Sequence, residues 1–263
     1  MTAILSNYVA NEWRTPQGIE LADIPNPATG EILARVPMTS KADTVTAVEA
    51  ASAAATAWAR VPAIERIQYL FKLKTLIEQN LDELCRICTN ECGKTYGESK
   101  GEFQRAIENI ETACGIPILM QGHTSEDIAR GIDEYMFRQP MGVVAAITPF
   151  NFPGMIPFWF LPYALATGNC MILKPSEKTP MTAARVFELI ASLGLPPGVL
   201  QMVHGGRDAV ETLLEHPAVR AISFVGSSDV ARIVYQGSAR HGKRAQCQGG
   251  AKNPVVILPD ADM

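Results

Sequence analysis

The chain has 263 residues, 47% of them hydrophobic and 19% charged, with a formal net charge of −4 at pH 7 and a pI near 5.6. That length fits one large domain or two small ones, and the low charged fraction points to a large core or to surface covered by another domain or subunit. The sequence offers no basic stripe for nucleic acid, so an acidic nucleotide has to be held by local geometry rather than by the overall field.

The opening "MTAILSNYVANEW" has no basic flank and no small-residue cleavage pattern, so no secretory leader is expected. The first 40 residues, with "IPNPATGE" among them, predict short strands and turns. Ser40 is placed to cap an alanine-rich helix running to about Arg60, with Val45, Val48, Ala55 and Trp58 on its apolar side. Pro62 suits the first turn of a second helix, and Asn80 is placed to cap a third that stops at Gly93. Six cysteines without a leader read as reduced, cytosolic thiols. In "CRICTNEC" the offsets of Cys85, Cys88 and Cys92 are those of one helix face, so a buried stripe is expected there rather than zinc, and no metal site is predicted. A fourth helix is predicted over "YGESKGEFQRAIENIETAC", and residues 121–139 lose helical periodicity and predict a protruding hairpin.

Residues 139–173 carry no charged side chain, but Pro140, Pro149, Pro153, Pro157 and Pro162 interrupt them too densely for a membrane-spanning helix. From residue 142 short apolar strands ("GVVAAIT", "NCMILK", "VLQMV", "AISFV", "RAQCQ", "PVVIL") alternate with helical stretches near 155–167, 180–193, 207–215 and 231–239. This pattern predicts an α/β fold: a doubly wound, mostly parallel sheet of Rossmann-like type. The expected division is a helical part over 1–120, the hairpin over 121–139 and the nucleotide-binding part over 140–263.

Ligands of such sheets bind beyond the carboxyl ends of the strands, and three turns fall there. "PFNFP" places Asn151 in an apolar wall, where its carboxamide either donates to an oxygen that turns negative during reaction or bonds local backbone. "KPSEKTP" places Lys174, Ser176 and Glu177 at a strand end. A carboxylate there suits the two hydroxyls of an adenosine ribose and repels a 2′-phosphate, the alternative being a solvated turn before a helix capped by Thr179. "GSSDVA" leads a strand into a helix through Gly226 and Ser227, which suits a phosphate or a plain N-cap. No G-x-G-x-x-G is present.

"ITPFNFP", "ILKPSEKTP", "ISFVGSSDV" and "QGGAKNPVVI", in that order and spacing, resemble the aldehyde dehydrogenase superfamily over nearly the whole chain. Within it, "GKTYGESKGEFQRAIENIETACGIP" and "GAKN" look most like the CoA-acylating methylmalonate-semialdehyde dehydrogenase branch. The resemblance implies that a cysteine thiolate attacks an aldehyde, that Asn151 and a backbone N–H stabilise the resulting oxyanion, and that NAD takes the hydride. It places Thr148, Phe150, Lys174, Ser176, Glu177 and Lys178 around the adenosine half of NAD and Gly226 and Ser227 near the pyrophosphate. It also places Arg105 against a substrate carboxylate, which a guanidinium fork suits.

Two positions depart from the wider family. Gln248 stands where hydrolytic members carry a general-base glutamate, and it cannot take a proton at neutral pH. Its presence favours coenzyme A over water as acyl acceptor. Ala231 replaces a more usual glycine, which bears on helix packing or cofactor affinity. The family's G-x-R-C nucleophile segment does not occur in the sequence, and Cys247 in "RAQCQ" reads as a structural thiol rather than its substitute.

The resemblance therefore implies the coenzyme-binding half of a (methyl)malonate-semialdehyde dehydrogenase-like enzyme, with the catalytic domain outside this sequence and the chain inactive alone. A cytoplasmic location and a homo-oligomeric full-length enzyme are expected. The alternatives are a hydrolytic NAD(P)-dependent aldehyde dehydrogenase and a non-catalytic nucleotide-binding or assembly module.

Overall fold

The structure, a computed structural model, describes residues 2–16 and 18–262. The N-terminal segment folds as β1 (Ala3–Ile4), β2 (Asn7–Val9), β3 (Glu12–Arg14), β4 (Leu21–Pro25) and β5 (Ile32–Pro37). Strands β1, β5 and β4 form a small sheet of their own, whereas β2 and β3 join the main one.

Four long helices follow: α1 (Lys41–Arg60), α2 (Ala63–Gln79), α3 (Leu81–Cys92) and α4 (Tyr96–Ala113), then the single turn α5 (Ile116–Leu119). Ser40 caps α1 as its sequence predicts, its hydroxyl accepting from the Asp43 N–H at 3.1 Å. The buried stripe of α1 is Thr44, Ala47, Val48, Ala51 and Trp58, with Val45 and Ala55 only half-buried beside it. Gly93 ends α3 in the left-handed conformation (φ 75°), and a Cβ there would lie 2.7 Å from Pro27 Cγ. Cys85 and Cys88 are buried on the inner face of α3 and Cys92 is half-buried, the predicted stripe.

Strands β6 (His123–Ala129) and β7 (Ile132–Met136) form an antiparallel hairpin exposed along its whole length. The remaining elements are β8 (Val143–Ile147), a 3-10 turn (Ile156–Trp159), α6 (Leu161–Ala166), β9 (Cys170–Lys174), α7 (Met181–Ala191), β10 (Leu200–Met202), α8 (Arg207–Glu215), β11 (Val219–Val225), α9 (Ser228–Arg240) and β12 (Arg244–Gln248). The single helix expected near 155–167 is divided because Pro157 and Pro162 each lack an N–H and open a new turn.

The main sheet has the order β12-β11-β8-β9-β10-β2-β3, parallel from β12 to β10 and antiparallel beyond. Every residue of β9 is buried, as expected for a central parallel strand covered on both faces. Helix α1 packs along β8, β9 and β10 beside α8, α9 packs on β11 and β12, and α6 packs on β9 backed by α2 and α4. One apolar core therefore joins the early helices to the later sheet. No helix among the described residues is long and apolar enough to cross a membrane.

Three local expectations change. Asn80 makes no side-chain cap to α3; its amide instead donates to the Leu76 carbonyl at 2.8 Å and closes the end of α2. Thr179 does not cap α7. The N–H groups of Met181 and Thr182 donate to the Glu91 carboxylate at 2.7 and 2.8 Å, and the Thr179 hydroxyl turns to the Phe150 carbonyl at 3.0 Å. Residues 254–258 are exposed and not a strand, because they pair with no neighbouring ladder among the described residues.

Burial pushes the Glu91 carboxyl up to about 7 from 4.5, although its bonds to Thr182 and Met181 oppose the rise. Its folded pKa exceeds its unfolded one, so the folded state binds the extra proton and this stabilisation fades as pH rises from 4.5 through 7. Buried His204, held down to about 4 by desolvation, acts oppositely, costing stability as pH falls below 6.5. Glu91→Gln removes only the first effect. Stability of the variant relative to the parent, from urea unfolding, should rise by roughly 3 kcal/mol between pH 4.5 and pH 7.5. A difference that stays flat with pH contradicts this account of Glu91.

Candidate functional site

Strand register aligns the carboxyl ends of four neighbouring strands. Val225 of β11 pairs with Gln248 of β12, Phe224 with Ile147 of β8, and Ile147 with Lys174 of β9. The ladder continues one rung past the strands: the Thr148 N–H donates to the Lys174 carbonyl and the Gly226 N–H to the Gln248 carbonyl, both at 3.1 Å. The chain runs outward from β8 to β9 and β10 and then returns to β11 on the other side of β8. The switch point, where open α/β sheets bind ligands, thus lies between the turn after β8 and the turn after β11.

On the β9 side Lys174 is 4% exposed, and its ammonium lies 3.1 Å from the Glu177 carboxylate. Burial lowers the Lys174 pKa against the pull of Glu177. Burial also raises that of Glu177, but the Lys174 charge and further bonds leave it below the usual carboxylate range. Glu177 is half-buried, with its side chain 38% exposed. The buried Ser176 hydroxyl accepts from the Lys178 N–H at 3.2 Å, a local turn bond. The Lys178 ammonium sits 5.1 Å above the ring of Phe150, which is half exposed. Thr148 is buried beneath this cluster. The turns after β8 and β9 are therefore stitched together by Thr148–Lys174, Thr179–Phe150 and Lys178–Phe150.

On the β11 side Gly226 leads into α9, and the Ser227 hydroxyl caps that helix through the Val230 N–H at 3.5 Å. Ser227 remains exposed, as do the first residues of α9, so N–H groups at the helix start face solvent. The Ser228 hydroxyl accepts from the Gly250 N–H at 3.0 Å and ties the loop after β12 to α9. Ala231 is 8% exposed and packs into the core, so its methyl tightens the helix against the sheet. Cys247 lies within β12, half-buried and packed against the core, where burial pushes its thiol up.

Asn151 stands between the two sides. It is exposed, and its carboxamide makes no hydrogen bond to any described residue, so it is not consumed by local backbone. Its own carbonyl accepts from the Lys94 ammonium at 2.6 Å. Lys94 also meets the buried Glu102 carboxylate at 2.6 Å, and Glu102 accepts from the N–H groups of Gly154 and Met155 at 2.7 and 3.0 Å. Burial lowers the Lys94 pKa but Glu102 and the neighbouring thiols raise it on balance. A groove of about 380 Å³ opens beside this turn, lined by Lys94, Glu98, Arg105, Phe152 and Met155. Arg105 is largely exposed at the rim of this groove and pairs with Glu108 at 2.6 Å. A second groove, of 320 Å³, lies on the sheet face among Val144, Trp159, Tyr163, Asn169 and Ser223; none of its lining residues is charged.

The structure thus gathers Thr148, Phe150, Asn151, Lys174, Ser176, Glu177, Lys178, Gly226 and Ser227 along one edge, with Arg105 one groove away. Sequence reasoning missed Glu91, Lys94, Glu102 and Ser228. A signal for two of these existed: Glu91 and Glu102 fall in phase with the buried stripes of α3 and α4, and a carboxylate on an apolar face needs donors.

The aldehyde dehydrogenase family model matches residues 13–263. The chain belongs to the aldehyde dehydrogenase family. A malonate-semialdehyde dehydrogenase of Geobacillus kaustophilus is 48% identical over 262 residues, covering 100% of this chain and 54% of the relative. One from Bacillus cereus is 48% identical over 259 residues, with 98% and 53% covered. Among solved structures, a Sinorhizobium meliloti protein complexed with NAD and assigned as a methylmalonate-semialdehyde dehydrogenase superposes with a TM-score of 0.94 at 44% identity, over 100% of this chain and 53% of that one. The methylmalonate-semialdehyde dehydrogenase of Oceanimonas doudoroffii gives 0.93 at 42% identity, with 96% and 51% covered. This aldehyde dehydrogenase chain therefore spans about half the length of the curated relatives it matches.

A side chain at position 226 has no room in this arrangement, since its Cβ would lie 2.5 Å from the Phe224 ring. Gly226→Ala should destabilise the chain by about 1–3 kcal/mol through overpacking, read as a lowered thermal midpoint. An unchanged midpoint contradicts the packing described for this turn.

Proposed function

We propose that this chain is the coenzyme-binding half of an NAD-dependent aldehyde dehydrogenase acting on a malonate-semialdehyde-type substrate and passing the acyl group to coenzyme A. The observation that carries the reading is the meeting, at the switch point of one sheet edge, of the Lys174–Glu177 pair, the exposed start of α9 and the free carboxamide of Asn151.

The residues present suit a dinucleotide. Glu177 accepts from the two adenosine ribose hydroxyls while Lys174 orients it, and its charge opposes a 2′-phosphate, which favours NAD over NADP. Thr148, Phe150, Ser176 and Lys178 shape the adenosine side, and the backbone of Gly226 and Ser227 meets the pyrophosphate at the positive end of α9. NAD, when bound, supplies the hydride acceptor. Asn151 donates to the substrate oxygen as it gains charge, an interaction typically worth about 10²–10³ in rate. Arg105, at the rim of the groove beside Asn151, holds the carboxylate of the substrate.

Gln248 ends β12 at the same edge and offers no base for water, which supports transfer to coenzyme A over hydrolysis. The attacking thiolate is assigned to the G-x-R-C segment of the family, which this sequence does not contain, so the chain alone binds coenzyme and leaves the aldehyde unoxidised. The exposed apolar side chains of the hairpin, Ile128, Ile132, Tyr135 and Phe137, support assembly of a cytoplasmic homo-oligomer through that element.

Calorimetric titration tests the coenzyme assignment. NAD should bind at least about tenfold more tightly than NADP, a difference of about 1.4 kcal/mol, and Glu177→Gln should narrow that gap. Equal binding of both, or NADH formation from malonate semialdehyde and coenzyme A by the 263-residue chain, contradicts the proposal.

A further inference from the structure

We infer that the Lys94–Glu102 pair, which reaches the site from the α3–α4 loop and from α4, is a positioning device for Asn151: it fixes the backbone of the turn after β8 so that the Asn151 carboxamide is aimed without being hydrogen-bonded itself. The inference rests on the reading of Asn151 as the oxyanion donor.

The geometry is that of a clamp with two jaws. On one side of Asn151, the Phe150 carbonyl accepts from the Thr179 hydroxyl at 3.0 Å and from the Cys92 thiol at 3.2 Å. On the other, the Asn151 carbonyl accepts from Lys94 at 2.6 Å. A peptide unit is planar, so holding the carbonyls of residues 150 and 151 holds the two planes that meet at the Asn151 Cα and fixes the direction of its Cβ. Only the side-chain torsions remain free.

Glu102 completes the clamp three residues later. Its Oε1 takes the N–H groups of Gly154 and Met155, and its Oε2 takes Lys94. Gly154 is required at this contact, since a Cβ there would lie 2.8 Å from the Phe103 ring. The pair is sequestered: the Glu102 side chain is 1% exposed and that of Lys94 14%, and the Lys94 ammonium lies 4.4 Å from the centroid of the Phe152 ring. A charge-assisted bond in such surroundings is strong and directional. A donor for a developing oxyanion must be held to within a fraction of an ångström. A turn at a solvent-exposed sheet edge does not supply that rigidity by itself, and the buried pair behind it does.

The test uses this chain labelled with 15N-asparagine. The Asn151 backbone and carboxamide resonances are assigned by their loss in Asn151→Asp. The double variant Lys94→Met/Glu102→Gln keeps an acceptor for Gly154 and Met155 and leaves no lone buried charge, while removing the tie to the Asn151 carbonyl together with the Lys94–Glu102 pair and its contacts with the Phe152 ring and the Cys88 thiol. Its Asn151 resonances should shift and broaden, while Lys94→Arg should retain the parent pattern. Unmoved Asn151 resonances in a folded double variant overturn the inference. Hydrogen exchange on the unmodified chain gives a second reading independent of any substitution: Gly154 and Met155 amides should be protected, and exchange at the rate of an open turn overturns the clamp. Both measurements are made without coenzyme, so failure of the parent chain to bind NAD rejects the coenzyme assignment and leaves this inference separately readable.

Discussion

The register of four parallel strands is the constraint on which the site depends. Pairing Val225 with Gln248, Phe224 with Ile147 and Ile147 with Lys174 brings three turns that are far apart in sequence to one line. A slip of one residue on β8 would send each of its side chains to the opposite face of the sheet, and that strand is buried or half-buried on both faces. Because every residue of β9 is buried too, what opposes such a slip is close packing: it would force side chains of different size into two filled faces. Core packing thus sets the chemistry at the edge: the apolar interior fixes the register, and the register delivers Thr148, Asn151, Lys174 and Gly226 together.

The two buried carboxylates of this core, Glu91 and Glu102, each answer a pair of otherwise unpaired N–H groups. Glu91 receives the first N–H groups of α7, and Glu102 receives those of Gly154 and Met155. Both come from the early helices and both act on the later sheet's connections. The helical part and the strand part are therefore joined by specific bonds as well as by a shared apolar core. Among the described residues Glu91 has no cationic partner, and burial pushes its carboxyl up; Glu102 has Lys94 at 2.6 Å.

Periodicity made much of this legible in the sequence. The alternation of short apolar strands with helices predicts the parallel sheet, the Ser40 cap and Gly93 stop mark one end each of α1 and α3, and the three edge turns are legible as strand-to-helix connections. What escaped was long-range. Thr179 has the local form of a helix cap, but Glu91, some ninety residues earlier, takes the N–H groups it would have served. Asn80 has the form of an N-cap and closes the preceding helix instead, because Leu76 offers a carbonyl one turn back. Residues 254–258 have strand composition, yet composition does not supply a ladder partner. Lys94 reads as a loop lysine until the fold carries Asn151 to it, and no local pattern records a pair separated by 57 positions.

The proposed function requires that a dinucleotide lie across the carboxyl edge at the β8–β11 switch point. Backbone amide chemical-shift mapping of the chain with NAD tests it directly. The account predicts perturbations concentrated at Thr148 to Asn151, Lys174 to Lys178 and Gly226 to Ser228. Perturbations confined to the uncharged sheet-face groove around Val144 and Trp159, or to the hairpin, with that edge silent, would contradict it.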